Sequence, residues 1–409
     1  MEIKRDYYLK KLISAEGNGL VKVITGIRRS GKSYLLNQIF KSYLIDERGI
    51  TESHIIQVSF ESYINDDLKT PKALGDYIHG KIIDQDKYFI LLDEIQEVPN
   101  FESVLSDLLM LPNAEIYVSG SNSKFLSTDI ITEFRGRSFE IRVFPLSFAE
   151  FYSAYSGGDK LDAWRDYWTY GGLPLVLLQN SPENKMYYLA SLKDEIYLKD
   201  IIDRHNIKYP ENLEITLEIA ASMVGSLTNP LNLANSFKSK KPTSKISDKT
   251  IYNYLSHFEE AFLLEKAKRY NIRGRALIDT PHKYYFTDNG LRNAITEFNQ
   301  LNEATLLENI VYTELRRRGY SVNIGVLDFR EGNLRKSLEV DFVANKVNER
   351  VYVQVSLDIN NPDTLARELK PFSDIDDAFK KILIVGNNIT PHYEENGVQI
   401  INILDFLLG

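Results

Sequence analysis

The sequence predicts an α/β fold that begins with a doubly wound parallel sheet, and three observations predict it. A glycine-rich turn, Gly26-Ile-Arg-Arg-Ser-Gly-Lys-Ser33, stands between an apolar run at Leu20–Ile24 and a helix-patterned run from Tyr34. A second apolar run, Tyr88-Phe-Ile-Leu-Leu, ends in two carboxylates, Asp93 and Glu94. Around these, short apolar or β-branched runs alternate with stretches of helical period, the order that builds a parallel sheet. A helical region, a region of three helices and a hairpin, and a C-terminal α/β region follow. Four domains are therefore expected, at 1–145, 146–210, 211–295 and 296–409.

The first element is a short helix carrying Tyr7, Tyr8, Leu9, Leu12 and Ile13, closed by a Gly-Asn-Gly turn before the first strand. After the helix at 34–41 come a strand at Ile55–Phe60, a helix at Ala73–Ile83, and the strand ending at Asp93. A helix at Phe101–Leu111 stops at Pro112, and strands follow at Ala114–Ser119 and Ser138–Phe144. Ligands of such sheets bind beyond the carboxyl ends of the strands. The glycine turn, the acid pair and the Ser119-Gly-Ser-Asn122 turn are all expected at that edge.

The glycine turn fits G-x-x-x-x-G-K-[ST], in the strand–loop–helix setting that this phosphate-binding pattern requires. Glycines at 26 and 31 let the backbone curl so that its N–H groups converge on phosphate oxygens, and the helix N-terminus adds a partial positive charge. Gly26, Ile27, Arg28, Arg29, Ser30, Gly31, Lys32, Ser33 and the adjoining Tyr34 are expected to hold ATP, with Lys32 on the β- and γ-phosphates. Ser33 and Asp93 are expected to hold Mg²⁺, and Glu94 to polarise the attacking water. Asn122, with Ser121 beside it, is expected to hydrogen-bond the γ-phosphate or that water. Arg135 and Arg137 are the candidates for an arginine that stabilises transition-state charge, within one subunit or between subunits. Such a group contributes about 10³–10⁵ in rate.

Composition narrows the rest. At 409 residues, 43% hydrophobic and 26% charged, the chain has the make-up of a soluble globular protein of several domains. No apolar run is long enough to span a membrane. The opening Met-Glu-Ile-Lys-Arg-Asp-Tyr-Tyr has no apolar signal core, and the expected location is cytoplasmic. Absence of cysteine excludes disulfides, thiol catalysis and cysteine-ligated zinc. The net charge of −8 argues weakly against a nucleic-acid partner, but its distribution is uneven.

From Leu146 to Ile207 the pattern is helical and aromatic, broken at Tyr170-Gly-Gly-Leu-Pro174, and a helical lid is expected there. Helices are expected at Leu213–Val224, Pro230–Phe237 and Asp248–Glu259, then two strands flanking Arg269–Arg275. That order suits a winged helix, whose third helix enters the DNA major groove. In the third helix Ile251, Leu255 and Phe258 mark the buried face, leaving Lys249 and Asn253 to meet another surface. Arg273 and Arg275 are expected DNA contacts from the wing. Twelve Lys/Arg against six Asp/Glu between Ser236 and Arg292 make phosphate contact plausible.

The C-terminal order α-β-β-β-α-β, with Glu308 on its helix, Asp341 on one strand and Gln354-Val-Ser356 on the next, resembles the core of PD-(D/E)XK nucleases. Those enzymes carry (D/E)-x-K where this chain has Gln354 and Ser356. Glutamine is a poorer metal ligand than a carboxylate, and serine cannot replace a cationic lysine. A restriction-endonuclease-like domain without cleavage is expected, with Glu308, Asp341 and Gln354 as its remnant. Lys346 is the candidate lysine for a migrated site.

Taken together, the chain resembles the prokaryotic AAA+-type ATPases whose C-terminal domain is catalogued as of unknown function. The motifs that carry this are Lys22–Ser33, Leu91-Leu-Asp-Glu-Ile-Gln96, Val118-Ser-Gly-Ser-Asn122 and Arg135-Gly-Arg137. Pro145–Phe151, Gly171-Gly-Leu-Pro174, Glu339-Val-Asp-Phe342 and Val353-Gln-Val355 extend the likeness along the chain. The resemblance implies ATP binding and hydrolysis, a ring or other homo-oligomer, and a winged helix before a nuclease-like end. Joined to the reading of the residues, it gives an expected Mg²⁺-dependent ATPase acting on DNA. The alternatives are an ATP-gated switch that engages a protein, or an ATP-regulated nuclease.

Overall fold

Five short runs, of which the three central ones are buried because helices cover both of their faces, become parallel strands. In the computed structural model, which describes residues 3–121, 136–243, 246–331 and 334–409, they are β1 (Val21–Thr25), β2 (Ile55–Ser59), β3 (Tyr88–Asp93), β4 (Ala114–Ser119) and β5 (Ser138–Arg142). All pairs are parallel and the order is β2-β3-β4-β1-β5. They belong to the first of two compact units, residues 1–145 with 260–262; the second holds 146–259 and 263–409.

The two faces of this sheet are filled by alternate residues of the same strands, as the pleat demands. Val21, Val23, Ile90 and Leu92 pack on one face with Leu74, Ile78, Val104 and Leu108 from the helices Pro71–Lys81 and Phe101–Leu108. Ile24, Phe89, Leu91 and Tyr117 pack on the other with Tyr8, Leu12, Leu36 and Phe40. Those last four come from the helix Asp6–Ser14 and from the helical segment that follows the glycine turn. That segment starts as an α-helix at Lys32–Tyr34 and widens into π turns at Leu35–Phe40 and Tyr43–Glu47.

The second unit opens with helices at Phe148–Ser153, Lys160–Tyr170, Pro182–Ser191 and Lys199–His205. Pro210–Ser222, Pro230–Lys240 and Asp248–Glu260 then give three helices, and β6 (Leu264–Asn271) and β7 (Ala276–Phe286) form an antiparallel hairpin. The helix Glu303–Arg317 leads to β8 (Ser321–Glu331), β9 (Leu334–Lys346) and β10 (Glu349–Ser356). After the helix Pro362–Ser373 come β11 (Lys380–Val385), β12 (His392–Tyr393) and β13 (Gln399–Asn402). The eight strands form one sheet in the order β12-β13-β11-β10-β9-β8-β6-β7. Here the structure departs from the expectation of a free wing. β6 pairs in parallel with β8, Arg269 opposite Ile324, so the sequence boundary at 295/296 falls between elements that share a sheet.

The backbone break at Gly171-Gly172 has a packing cause within this unit. Gly172 N donates to Asp288 Oδ2 at 2.7 Å, and Asp288 Oδ1 caps the helix Asn289–Ile295 through Leu291 N at 3.0 Å. Gly171 has φ 77°, and a Cβ there would lie 2.1 Å from Asp288 Oδ1; one on Gly290 would lie 2.0 Å from the Tyr170 carbonyl. Two backbones touch here, and only glycine permits it.

Candidate functional site

Because β1 to β4 are parallel, their carboxyl ends share one edge, and the glycine turn, Asp93 and Ser119 meet there. Gly26 has φ 139°, and a Cβ on it would fall 2.1 Å from the Val143 carbonyl, so any side chain would push the turn off the end of β5. Arg29 (φ 64°) and Gly31 (φ 94°) are also left-handed, which curls the turn into the helix that begins at Lys32. Ile27 is buried and Tyr34 is exposed. Arg28 pairs with Glu61 at 3.5 Å.

Lys32 is buried at 3% exposure, and its Nζ donates to the Gly26 and Ile27 carbonyls, both at 3.1 Å. Burial lowers the Lys32 ammonium pKa, against the pull of Glu94 and Asp93. Asp93 is moved the other way. Burial raises it and the neighbouring Glu94 adds to that, while donors from Ser119 and Ser33 oppose. Ser119 Oγ donates to Asp93 Oδ1 and accepts from Glu94 N at 3.0 Å, so one hydroxyl ties both acids to the end of β4. Ser59 Oγ and Asn37 Nδ2 reach Asp93 Oδ2 at 3.3 and 3.2 Å. Glu94 is buried, left-handed (φ 55°), and accepts at Oε2 from Gln96 Nε2 and from Ser121 Oγ.

These residues fit a triphosphate and its metal. A side chain at 26 would displace the turn, and Ser30 Oγ, fully buried inside it, has no hydrogen-bond partner among the described residues. Ser33, close enough to Asp93 to lower its pKa, and Asp93 supply the hydroxyl and carboxylate oxygens that Mg²⁺ favours.

The other sequence candidates fall differently. Arg137 is exposed and precedes β5, where its carbonyl accepts from Val21 N at 2.9 Å. That is the amino edge of the sheet, a full strand away from the glycine turn of the same chain, about 15 Å at the usual rise. Asn122 and Arg135 lie outside the described residues.

In the second unit Glu308, Asp341 and Gln354 lie in one neighbourhood. β9 and β10 pair with Phe342 opposite Val353, so Asp341 and Gln354 are neighbours, and Gln354 Oε1 accepts from Asp341 N at 3.2 Å. Sequence reasoning missed the cation. Lys346 Nζ donates to the Arg318 carbonyl instead, whereas Lys283, from β7, lies 3.0 Å from Glu308 and 2.7 Å from Glu339. Lys283 is 5% exposed. Burial works to lower its pKa, but Glu308, Glu339 and Asp341 outweigh burial and hold it above the ordinary lysine value. Burial and Glu308 raise Asp341 well above the carboxylate range. A lysine opening a buried Tyr-Tyr-Phe strand was the one signal available in the sequence.

On the third helix Ile251, Leu255 and Phe258 are buried, and Lys249 and Asn253 are exposed. Arg273 and Arg275 have acidic company. With Arg350 they line a cavity of about 680 Å³ shared with Glu349, Asp374, Asp376 and Asp377, and Arg273 bonds to the Asp328 and Asp374 carbonyls. The cavity is of mixed charge, with the acids in slight excess, rather than basic.

The parallel sheet with its phosphate turn and strand-end acids defines a P-loop nucleotide-binding domain. The AAA domain family matches residues 18–152, and a domain of unknown function (DUF8612) matches residues 161–302. The chain belongs to the family of an uncharacterized Haemophilus influenzae protein, 38% identical over 99% of this chain and 98% of that one. An uncharacterized Methanocaldococcus jannaschii protein is 27% identical over 94% of this chain and 85% of its own length. Among solved structures, the Aeropyrum pernix ORC1 protein in complex with DNA is similar at 11% identity, over 73% of this chain and 93% of that one, with a TM-score of 0.33. No helix among the described residues is long and apolar enough to cross a membrane.

Proposed function

We propose that the protein is a Mg²⁺-dependent ATPase of AAA+ type that couples ATP hydrolysis to binding or remodelling DNA, as a homo-oligomer. The observation that carries the ATPase reading is the meeting of Lys32, Asp93 and Glu94 at one strand edge around a glycine turn that tolerates no side chain at 26. Bound Mg²⁺, held by Ser33 and Asp93, supplies charge neutralisation at the phosphates. Lys32 leaves its carbonyl partners for the phosphates, Glu94 takes the proton of the attacking water, and Ser119 keeps the two acids in register. Since Arg137 lies at the opposite edge from its own site, the finger role it was expected to fill is one for a neighbouring subunit.

The DNA reading is supported by the exposed Lys249 and Asn253 and by the local excess of basic residues. The mixed-charge cavity at Arg273 and Arg275 favours a second reading, in which a peptide of mixed charge docks there. Nuclease action is not part of the proposal, because Gln354 stands where PD-(D/E)XK nucleases carry a metal-binding carboxylate. ATP turnover, measured with and without duplex, single-stranded and branched DNA, tests the function. Loss of turnover in Lys32→Ala and Glu94→Gln supports it; wild-type rates in either overturn it. Indifference to every DNA favours the peptide reading. DNA incubated with Mg²⁺ or Mn²⁺ is expected to stay intact, and cleavage abolished by Asp341→Ala would reverse that point.

A further inference from the structure

The Glu94 carboxylate is gripped by one of its two oxygens. Oε2 accepts from the Gln96 side-chain amide and from Ser121 Oγ at 3.0 Å, while Oε1 has no hydrogen-bond partner among the described residues. The two donors come from different elements. Gln96 lies in the 3-10 turn Ile95–Glu97 that follows β3, and Ser121 lies just past β4. The amide orientation follows from this bond, since the reverse orientation would set two oxygens against each other.

A carboxylate held by a single donor still swings about its last torsion, which is broad and roughly two-fold. Two donors converging on one oxygen from separate elements fix the plane of the group. We propose that Gln96, with Ser121, is a positioning residue that pins Oε2 of Glu94 so that Oε1 is presented to the attacking water. This rests on the reading of Glu94 as the general base. Gln96 touches neither nucleotide nor metal in this arrangement, so its effect belongs to the rate of the chemical step and not to ATP affinity.

The test compares wild type, Glu94→Gln, Gln96→Met, Ser121→Ala, Ser121→Thr and the double variant Gln96→Met/Glu94→Gln. Steady-state kcat and KM are measured alongside the Kd of a fluorescent ATP analogue and the melting temperature. Gln96→Met keeps the length of the side chain and removes the donor. Its kcat is expected to fall roughly 10- to 100-fold, the scale of a misplaced reacting group, with KM, Kd and melting temperature near wild type. Ser121→Ala is expected to fall in the same way, and Ser121→Thr, which keeps the hydroxyl, to recover. In the Glu94→Gln background Gln96→Met should cost nothing further, because residues acting through one group are not additive. An unchanged or raised kcat in Gln96→Met overturns the proposal, as does a further loss in the double variant. Wild-type turnover that does not depend on Glu94 sinks both the site reading and the proposal; turnover that needs Glu94 and ignores Gln96 sinks the proposal alone.

Discussion

Lys32 and Asp93 are each pushed toward neutrality by burial, and Glu94 and Asp93 pull the lysine back toward its charged form. Removing the lysine therefore takes away both the phosphate partner and the counter-charge of two buried acids. ATP is expected to raise the melting temperature of the wild type, since a ligand at 100 times its Kd adds about 2.7 kcal/mol; in Lys32→Ala the shift should vanish at every ATP concentration tested. Lys32, Ser33, Asp93 and Glu94 were legible in the sequence because a phosphate loop and a strand-end acid pair are local patterns. Gln96, Ser119 and Lys283 were not, because their roles come from elements that meet only in the fold. Asp288 shows a cost of such a meeting. Burial raises its pKa from an ordinary 3.8 to about 6, against the N–H groups of Gly172, Leu291 and Gly290 and the Arg317 charge. The folded state thus holds this proton more tightly than the unfolded chain. The contribution is full below about pH 4 and is lost as the pH rises through about 6, a span corresponding to about 3 kcal/mol. Wild type should lose stability relative to Asp288→Asn between pH 4 and 6.5 and run parallel to it above. A constant difference in urea midpoint across that range would show that the carboxyl titrates normally.

Elements were readable where period and composition agreed. β1, β3 and β4 appear where their apolar runs lie, because central parallel strands are buried on both faces and announce themselves without a partner, while the edge strand β5 is half exposed. The hairpin β6–β7 was readable as a hairpin, but not as part of the C-terminal sheet. Pairing of Arg269 with Ile324 joins segments more than fifty positions apart, and no local pattern encodes it. The widened turns at Leu35–Phe40 left no trace in the sequence either. Gly290 separates local preference from packing. Inside the helix Asn289–Ile295, replacement by alanine would ordinarily stabilise by about 1 kcal/mol. Its Cβ would instead meet the Tyr170 carbonyl at 2.0 Å, backbone that cannot swing aside. Gly290→Ala is expected to destabilise by roughly 1–3 kcal/mol, the usual range for overpacking. A urea midpoint at or above wild type would mean that the two backbones separate easily and that the Gly171-Gly172 turn is not held there.

At the scale of the whole molecule, a chain of net charge −8 has to meet an anionic polymer through a limited basic region. Much of that region is already engaged. Lys240 pairs with Glu218 at 3.1 Å, Lys241 with Glu211 at 2.7 Å, and Arg273 lies beside Asp374. Exposed Lys249, next to Asn253 on the third helix, is the better-placed contact, and few phosphates should be neutralised in all. Each phosphate neutralised contributes about −0.9 to the slope of log affinity against log salt on duplex DNA. The proposed complex should therefore show a shallow slope, on the order of −2 to −4. Lys249→Ala should weaken binding about equally for all sequences and make that slope less negative by about one. Asn253→Ala should leave the slope alone and change only the preference among sequences, since an amide reads base edges and neutralises nothing. Fluorescence anisotropy of labelled duplexes from 50 to 200 mM salt measures all three. If Lys249→Ala leaves both affinity and slope untouched while DNA still stimulates ATP turnover, the third helix is not the DNA contact, and the polymer must be met elsewhere on the chain.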